Sequence, residues 1–154
     1  MPDRVILIAA VTVDGYIARH NLEITDWTQD LKLFKDQTMG WPIIMGSNTF
    51  KTLASELGGR ENIIASRKDN PSKIISNIKT EKCFVIGGGK TYYRFIKYIT
   101  DVFITPHPHV FGFGVPLFSG ENIPEISLEF ERLLEVNKSR GIFQYQYKVK
   151  NIVD

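Results

Sequence analysis

The chain has little of what marks several large classes of protein. It has one cysteine, Cys83, among 154 residues, so it forms no disulfide within the chain, and a cytoplasmic location is expected. No uninterrupted run of about 18 apolar residues is present, so the sequence predicts no membrane-spanning helix. The net charge is only +2, which favours neither nucleic acid nor an anionic membrane as a partner.

Metal ligands and domain boundaries are also missing from the pattern. His107 and His109 flank a proline, without cysteine or acid at ligand spacing, so we interpret this segment as loop structure and expect no metal. Repeats, low-complexity tracts and linkers are not evident. Residues 1–154 are therefore expected to form a single domain.

Short apolar runs alternate with helical stretches along the chain. Strands are predicted at 4–11, 42–45, 61–66, 73–76 and 100–106, and residues 83–89 are predicted to be a strand followed by a turn. Helices are predicted at about 28–39, 46–57 and 90–98. A polar loop is expected at 12–26. Two alternating segments, 126–136 and 142–150, are joined by a turn at 138–141 and predict an antiparallel hairpin. The predicted fold class is α/β, a mostly parallel twisted sheet with an antiparallel C-terminal hairpin and helices on both faces.

An acid lies on the apolar face of the first predicted helix. Asp30, Phe34 and Thr38 are spaced four residues apart and share that face with Leu31. Asp30 is either a first-turn acid favoured by the helix dipole or a carboxylate at the floor of a pocket. In the second case burial raises its pKa, and it binds a flat nitrogen heterocycle through two hydrogen bonds. Phe34 would then pack on the ring, and Thr38 would hydrogen-bond the acid directly or through water.

Two predicted strands run into turns of small residues, Gly46–Thr49 and Gly87–Gly89. Each turn is either a tight strand-to-helix connection, with Ser47 or Asn48 as a helix cap, or a phosphate site. The second turn is not the dinucleotide fingerprint, because Tyr92 occupies the place of its third glycine. Both turns follow the carboxyl ends of strands, where open α/β sheets bind ligands. Together they favour a ligand with a pyrophosphate.

Two arginines flank the predicted strand at 61–66. Arg60 precedes this strand and Arg67 follows it. Each is either a solvated surface residue or a clamp, one for a carboxylate and the other for a phosphate.

Six motifs, in their order and spacing, resemble the dihydrofolate reductase family between residue 5 and about residue 105. They are TVDGYIA, W-x-x-D-L-x-x-F-K-x-x-T, P-I-I-M-G-x-x-T, G-R-x-N-I-I-x-S, V-I-G-G-G-x-x-Y and F-I-T. The resemblance implies reduction of 7,8-dihydrofolate to tetrahydrofolate by hydride transfer from NADPH. It also implies that Asp30 is the catalytic residue, which binds the pterin and promotes protonation of its ring nitrogen.

The resemblance further implies the residues of both sites. The substrate-binding residues would be Ile8, Ala9, Leu31, Phe34, Thr38, Leu53, Leu57, Arg60, Ile86, Tyr92 and Thr105. The cofactor-binding residues would be Ala10, Ile17, Gly46, Ser47, Asn48, Thr49, Ser66, Arg67, Gly87, Gly88, Gly89, Lys90 and Thr91. Arg60 would bind the carboxylate of the glutamate tail, and a cis peptide bond would join Gly87 and Gly88. Residues 14–27 would form a mobile loop over the nicotinamide.

The chain departs from the family in ways that leave alternatives open. Ser47 stands where a basic residue often contacts the 2′-phosphate, so a preference for NADPH would depend on Arg67 and Lys90. The stretch from Arg67 to Cys83 is expected to be too short for the family's extra helix.

Residues 112–118, together with 13–18, resemble the ribosylamino-pyrimidine reductases of riboflavin synthesis, which are the main alternative. A non-catalytic binder of nucleotide or pterin on the same scaffold is the second. We expect dihydrofolate as the small-molecule partner. We expect no nucleic acid, membrane or obligatory protein partner, and we take a monomer as the working assumption.

Overall fold

The computed structural model describes residues 1–53 and 55–153, and a seven-stranded sheet forms its centre. The strands are β1 (Arg4–Thr12), β2 (Tyr16–Ala18), β3 (Ile43–Gly46), β4 (Asn62–Ala65), β5 (Lys82–Gly87), β6 (Asp101–His107), β7 (Val115–Pro116), β8 (Glu125–Asn137) and β9 (Ile142–Val153). The α-helices are α1 (Leu31–Thr38), α2 (Ser47–Thr52), α3 (Pro71–Asn77) and α4 (Gly89–Arg94). Single 3₁₀ turns lie at Ile96–Tyr98 and Lys138–Arg140.

The sheet has the order β4-β3-β5-β1-β6-β9-β8. The first five strands in this order are parallel, and β9 and β8 add an antiparallel edge. β2 and β7 form a separate antiparallel pair. These observations confirm the predicted α/β class with its C-terminal hairpin. None of the helices in the described part of the chain is long and apolar enough to cross a bilayer.

The central strand β1 shows why its sequence is a continuous apolar run. Val5 and Leu7 pack into one buried cluster, and Ile6 and Ile8 pack into another. Alternate residues of a strand point to opposite faces, so both faces of the sheet are covered at this strand. A parallel strand buried on both faces therefore has no polar side to show in its sequence.

Residues 73–76 are helical, so the predicted strand there is wrong. They lie in α3, where Pro71 is the first helical residue. The side chain of Asn70, the residue before it, accepts a hydrogen bond from the Ser72 amide at 3.0 Å. This is a normal helix start, with a capping side chain followed by proline. The expectation that residues 67–83 are too short for an extra helix is wrong for the same reason.

Other boundaries differ by less. α1 begins at Leu31 instead of residue 28, and α2 ends at Thr52 instead of continuing to about residue 57. Of that predicted extension, Ala54 lies outside the described residues. The predicted loop at 12–26 contains the short strand β2, and His107 ends β6 instead of lying in a loop.

β8 is the outer edge of the sheet and is exposed along most of its length. Leu128, Phe130 and Leu133 on this strand are 40%, 57% and 45% exposed. The strand also carries four glutamates and an arginine. Charged side chains on an edge strand discourage pairing with another chain.

We predict that Ile75→Ala lowers the free energy of unfolding by about 2–5 kcal/mol, because it leaves a cavity in the core. Ile75 is 1% exposed on α3 and belongs to the main apolar cluster. The matched control is Lys73→Ala on the exposed side of the same helix, which is expected to change stability by less than about 0.5 kcal/mol. Urea unfolding would measure both, and equal values for the two variants would contradict the burial of Ile75.

Candidate active site

A cleft of about 830 Å³ lies where β3, β4 and β5 reach their carboxyl ends and where α1, α2 and α4 begin. It also runs along Ile8, Ala9 and Ala10 of β1. Every predicted site residue lines this cleft except Thr38 and Thr105. The topology explains the convergence, because the ends of parallel strands meet at one edge of a sheet.

Asp30 lies at the start of α1 and is only 7% exposed. Its backbone oxygen accepts the first helical hydrogen bond, from the Phe34 amide at 2.9 Å. Within the described residues, its carboxylate makes no capping hydrogen bond to the helix, and it contributes to the lining of the cleft. Burial raises the pKa of Asp30, while the nearby Thr105 hydroxyl acts in the opposite direction. The geometry thus favours a pocket carboxylate over a helix-capping acid.

Two buried polar side-chain atoms lack an ordinary hydrogen bond within residues 1–53 and 55–153. They are the Thr105 hydroxyl, which lies near Asp30, and the indole N–H of Trp27, which lies near the Glu23 carboxylate. Buried polar atoms almost always have a partner in protein or water. The Thr105 hydroxyl therefore has capacity to hydrogen-bond a group bound at Asp30.

Thr38 does not hydrogen-bond Asp30 directly, so that part of the prediction is wrong. Its hydroxyl donates to the Phe34 carbonyl at 2.8 Å and accepts from the Arg60 guanidinium at 3.1 Å. The bond to residue i−4 is the usual alternative partner for a threonine inside a helix. Arg60 also donates to the Gly58 carbonyl at 2.9 Å, which fixes its half-buried side chain at the rim of the cleft.

The two small-residue turns pack against each other. A Cβ atom on Gly46 would lie 2.5 Å from Oγ1 of Thr91, a distance that real Cβ atoms do not adopt. Gly87 has φ = +138°, and its peptide bond to Gly88 is cis, as the resemblance implied. The close approach of β3 to α4 therefore requires glycine at residue 46.

The end of the cleft beyond these turns is basic. Five cationic side chains line the cleft there: Lys51, Arg67, Lys68, Lys90 and Arg94. Arg94 donates to the carbonyls of Ser66 and Asp69, so it holds the loop that carries Arg67. The sequence prediction missed Lys51, Lys68 and Arg94, whose positions after strands and on short helices gave no motif.

The loop predicted to cover the site is tied down at its start. The Asp14 carboxylate accepts from the amides of Phe111 and Gly112, at 3.2 and 2.8 Å, and from the Thr12 hydroxyl at 2.6 Å. These bonds lower the pKa of Asp14. The pairing of β2 with β7 follows directly along the chain. Farther on, His20, Asn21, Glu23 and Thr25 of the same loop line the cleft.

His107 was also missed as a site residue. It is 1% exposed at the end of β6 and accepts a hydrogen bond from the amide of Gln29, the residue before Asp30. The strand period supplies the signal that would have found it, because residues 105 and 107 point to the same face. Trp27 packs edge-on against its ring, with centroids 5.4 Å apart.

Known proteins resemble this chain both in sequence and in fold. The model of the family described as "Dihydrofolate reductase" matches residues 4–112, which is more than half of the chain. A dihydrofolate reductase type 3 of Salmonella typhimurium is 32% identical over 100 residues, which are 56% of this chain and 60% of that protein. The aligned region thus spans about three fifths of this relative's length.

Two further matches cover more. A dihydrofolate reductase of Buchnera aphidicola subsp. Schizaphis graminum is 30% identical over 128 residues, covering 75% of this chain and 78% of that protein. A structure of dihydrofolate reductase from Enterococcus faecalis, complexed with NADP(H) and RAB-propyl, superposes with a TM-score of 0.71 at 15% identity, over 98% of this chain and 99% of that one. The structural match extends the common fold over the C-terminal hairpin, and the family match covers both glycine turns and Asp30. On these grounds the chain belongs to the dihydrofolate reductase family.

Proposed function

We propose that this protein reduces 7,8-dihydrofolate to tetrahydrofolate with NADPH. The observation that carries the proposal is the buried carboxylate of Asp30, 7% exposed beside a Thr105 hydroxyl that lacks an ordinary partner in the described part of the chain. A carboxylate in this state binds a planar ring that offers two adjacent N–H groups. The family to which the chain belongs supplies the same expectation.

In this proposal Asp30 binds the amidine edge of the pterin and raises the affinity of the ring nitrogen for a proton. The raised pKa of Asp30 matters here because a poorly solvated carboxylate interacts strongly with N–H donors. Phe34 and Leu31 cover the ring and exclude water, which strengthens that interaction. Arg60, held at the rim by Thr38 and Gly58, has the charge and fork geometry to take the carboxylate of the glutamate tail.

The opposite end of the cleft fits a phosphorylated dinucleotide. Small residues allow close approach of the backbone at Gly46 and Gly87–Gly89, and the cationic side chains lining that end complement phosphate groups. Arg67, Lys68 and Lys90 would supply the charge that Ser47 does not, so NADPH is preferred over NADH. When bound, NADPH supplies the hydride, while the chain's own residues position the two ligands and keep water out.

The setting of the enzyme is part of the same proposal. The chain has one cysteine, Cys83, which is free and buried, and a chain without disulfides is typical of a reducing compartment such as the cytoplasm. One cleft carries the groups proposed for both ligands, so the proposed reaction needs no residue of a second copy. We therefore propose a cytoplasmic enzyme that acts as a monomer.

The first prediction from the proposed function concerns the turnover of dihydrofolate. The purified protein is expected to oxidise NADPH when dihydrofolate is added, and Asp30→Asn is expected to lower turnover at pH 7 by at least about 100-fold, the usual contribution of a group that assists proton transfer. NADPH affinity, measured by fluorescence titration, should change by less than about twofold. The matched control is Asp36→Asn, an exposed acid on the same helix, which should keep full activity.

Other outcomes would assign the scaffold differently. Equal loss of turnover and of NADPH affinity in Asp30→Asn would make Asp30 a structural residue. If the unaltered protein binds NADPH without oxidising it in the presence of dihydrofolate, a ribosylamino-pyrimidine phosphate is the next substrate to assay. No turnover with either substrate would leave a non-catalytic binder.

The second prediction follows from the sign of the pKa shift. The pKa of Asp30 is raised in the folded protein, so folding favours the protonated acid, and stability decreases as pH rises through that pKa. Asp30→Asn removes the buried charge and is expected to melt at a higher temperature than the unaltered protein at pH 7.5. The difference between the two melting temperatures should decrease as the pH falls below the raised pKa. Thermal melts of both proteins across pH would measure it, and a lower melting temperature for the variant at pH 7.5 would contradict the prediction.

The third prediction separates the two ends of the cleft. Arg60→Leu is expected to raise the KM for dihydrofolate by about tenfold or more, since charge-assisted hydrogen bonds contribute roughly 1.5–3 kcal/mol, and to leave NADPH affinity unchanged. Arg67→Leu is expected to weaken the binding of NADPH, to reduce the preference for NADPH over NADH and to leave the KM for dihydrofolate unchanged. Initial-rate kinetics with each substrate varied would show the crossover. If both variants alter the same KM, the assignment of the two ends is wrong.

A further inference from the structure

The ring of His107 is joined to main-chain atoms on both sides. Its Nε2 accepts a hydrogen bond from the backbone N–H of Gln29 at 2.9 Å, and its Nδ1 lies 2.9 Å from the carbonyl oxygen of Thr105. A carbonyl is only an acceptor, so Nδ1 must carry the proton, and Nε2, which accepts, must not. These contacts select one neutral tautomer of a side chain that is 1% exposed.

This arrangement excludes a role in proton transfer to the substrate. Both ring nitrogens are already used, and a proton could leave or enter only if one of these bonds broke. His107 does not line the cleft. Its influence on the chemistry must therefore pass through the groups that it holds.

The group that it holds is the residue immediately before Asp30. Gln29 is bound at its amide by His107 and at its side chain by Asn137, whose amide donates to Oε1 of Gln29 at 2.8 Å. One contact comes from the end of β6, and the other comes from the end of β8. The entry to α1 is thus fixed to two strands of the sheet at the point where the carboxylate leaves the backbone.

The same ring also contacts Trp27, which packs against it edge-on with centroids 5.4 Å apart. Asp30 is the acidic group in its vicinity. The ring of His109 also packs edge-on against Trp27, with centroids 5.9 Å apart. His109 makes the same kind of aromatic contact but does not hold Gln29.

We propose that His107 is a positioning residue for Asp30, and that its neutral imidazole fixes the carboxylate at the right place and angle for the pterin by anchoring the Gln29 amide to β6. The consequence for catalysis rests on the proposed dihydrofolate reductase function. The anchoring of the Gln29 amide by His107 is independent of that function. A shift of Asp30 weakens two hydrogen bonds to the ring edge at once, because their geometry is shared.

Two substitutions separate the two halves of the imidazole. In His107→Gln the amide oxygen reaches the position of Nε2 and keeps an acceptor for Gln29. In His107→Asn the shorter amide keeps a donor for the Thr105 carbonyl but does not reach Gln29. His109→Gln is the matched control on the same tryptophan.

For dihydrofolate, His107→Asn is expected to raise the KM and lower kcat/KM by about tenfold, the effect of losing one buried hydrogen bond. His107→Gln should recover activity to within about threefold of the unaltered protein, and His109→Gln should match it. NADPH affinity should stay constant throughout. A packing role alone would not predict rescue by glutamine over asparagine, because both amides disturb the aromatic contact.

Nuclear magnetic resonance provides a readout that needs no substrate. The ¹⁵N shifts of His107 should show a protonated Nδ1 and an unprotonated Nε2 at neutral pH. The Gln29 amide should exchange slowly with solvent in the unaltered protein and in His107→Gln, and at least about tenfold faster in His107→Asn. If the protein does not turn over dihydrofolate, the proposed function fails, and these spectra still decide the role of His107.

The proposal is overturned in either of two cases. One is an unchanged Gln29 exchange rate and an unchanged KM in His107→Asn. The other is an equal loss of kcat/KM in His107→Asn and His107→Gln, together with equally lowered melting temperatures. That result would make His107 a packing residue only.

Discussion

The burial of a single carboxylate governs the design of this site. Moving an ionised group out of water is costly unless other groups replace its hydration. Around Asp30 the chain replaces only part of it, through the Thr105 hydroxyl. A flat ligand that brings its own N–H donors completes the set. The affinity of the site for such a ligand and the cost of the empty site therefore have the same origin.

The elements around Asp30 keep that carboxylate in a fixed place. Its backbone starts α1, and Thr38 at the end of the same helix supports Arg60. One short helix thus sets the distance between the group proposed to bind the pterin and the group proposed to bind the glutamate tail. Since the strand ends beneath the helix belong to a sheet with two covered faces, this distance is set by rigid parts of the fold. The loop that borders the cleft, in contrast, is attached by hydrogen bonds at Asp14 and by the pairing of β2 with β7.

The sequence predicted most of the sheet because its strands are strongly apolar and are separated by clear turns. It failed at residues 73–76, where a short Lys-Ile-Ile-Ser run fits strand and helix equally well, and only the cap at Asn70 distinguishes them. The predicted residues that line the cleft were found through motifs, and Lys51, Lys68 and Arg94, which belong to no motif, were missed. His107 has no motif, and its importance depends on a contact with Gln29, 78 positions away in the chain. Such pairings arise from the topology, which local patterns do not encode.

The exposed edge at β8 has a consequence for how the protein behaves in concentrated solution. Leu128, Phe130 and Leu133 offer an apolar strip on a strand whose outer backbone groups face solvent. The glutamates along that strand provide the repulsion between molecules that keeps such strips apart. Without these charges, edge-to-edge association of the exposed strands would compete with the dispersed state. The charges of this hairpin thus protect a surface that lies far in the fold from the cleft.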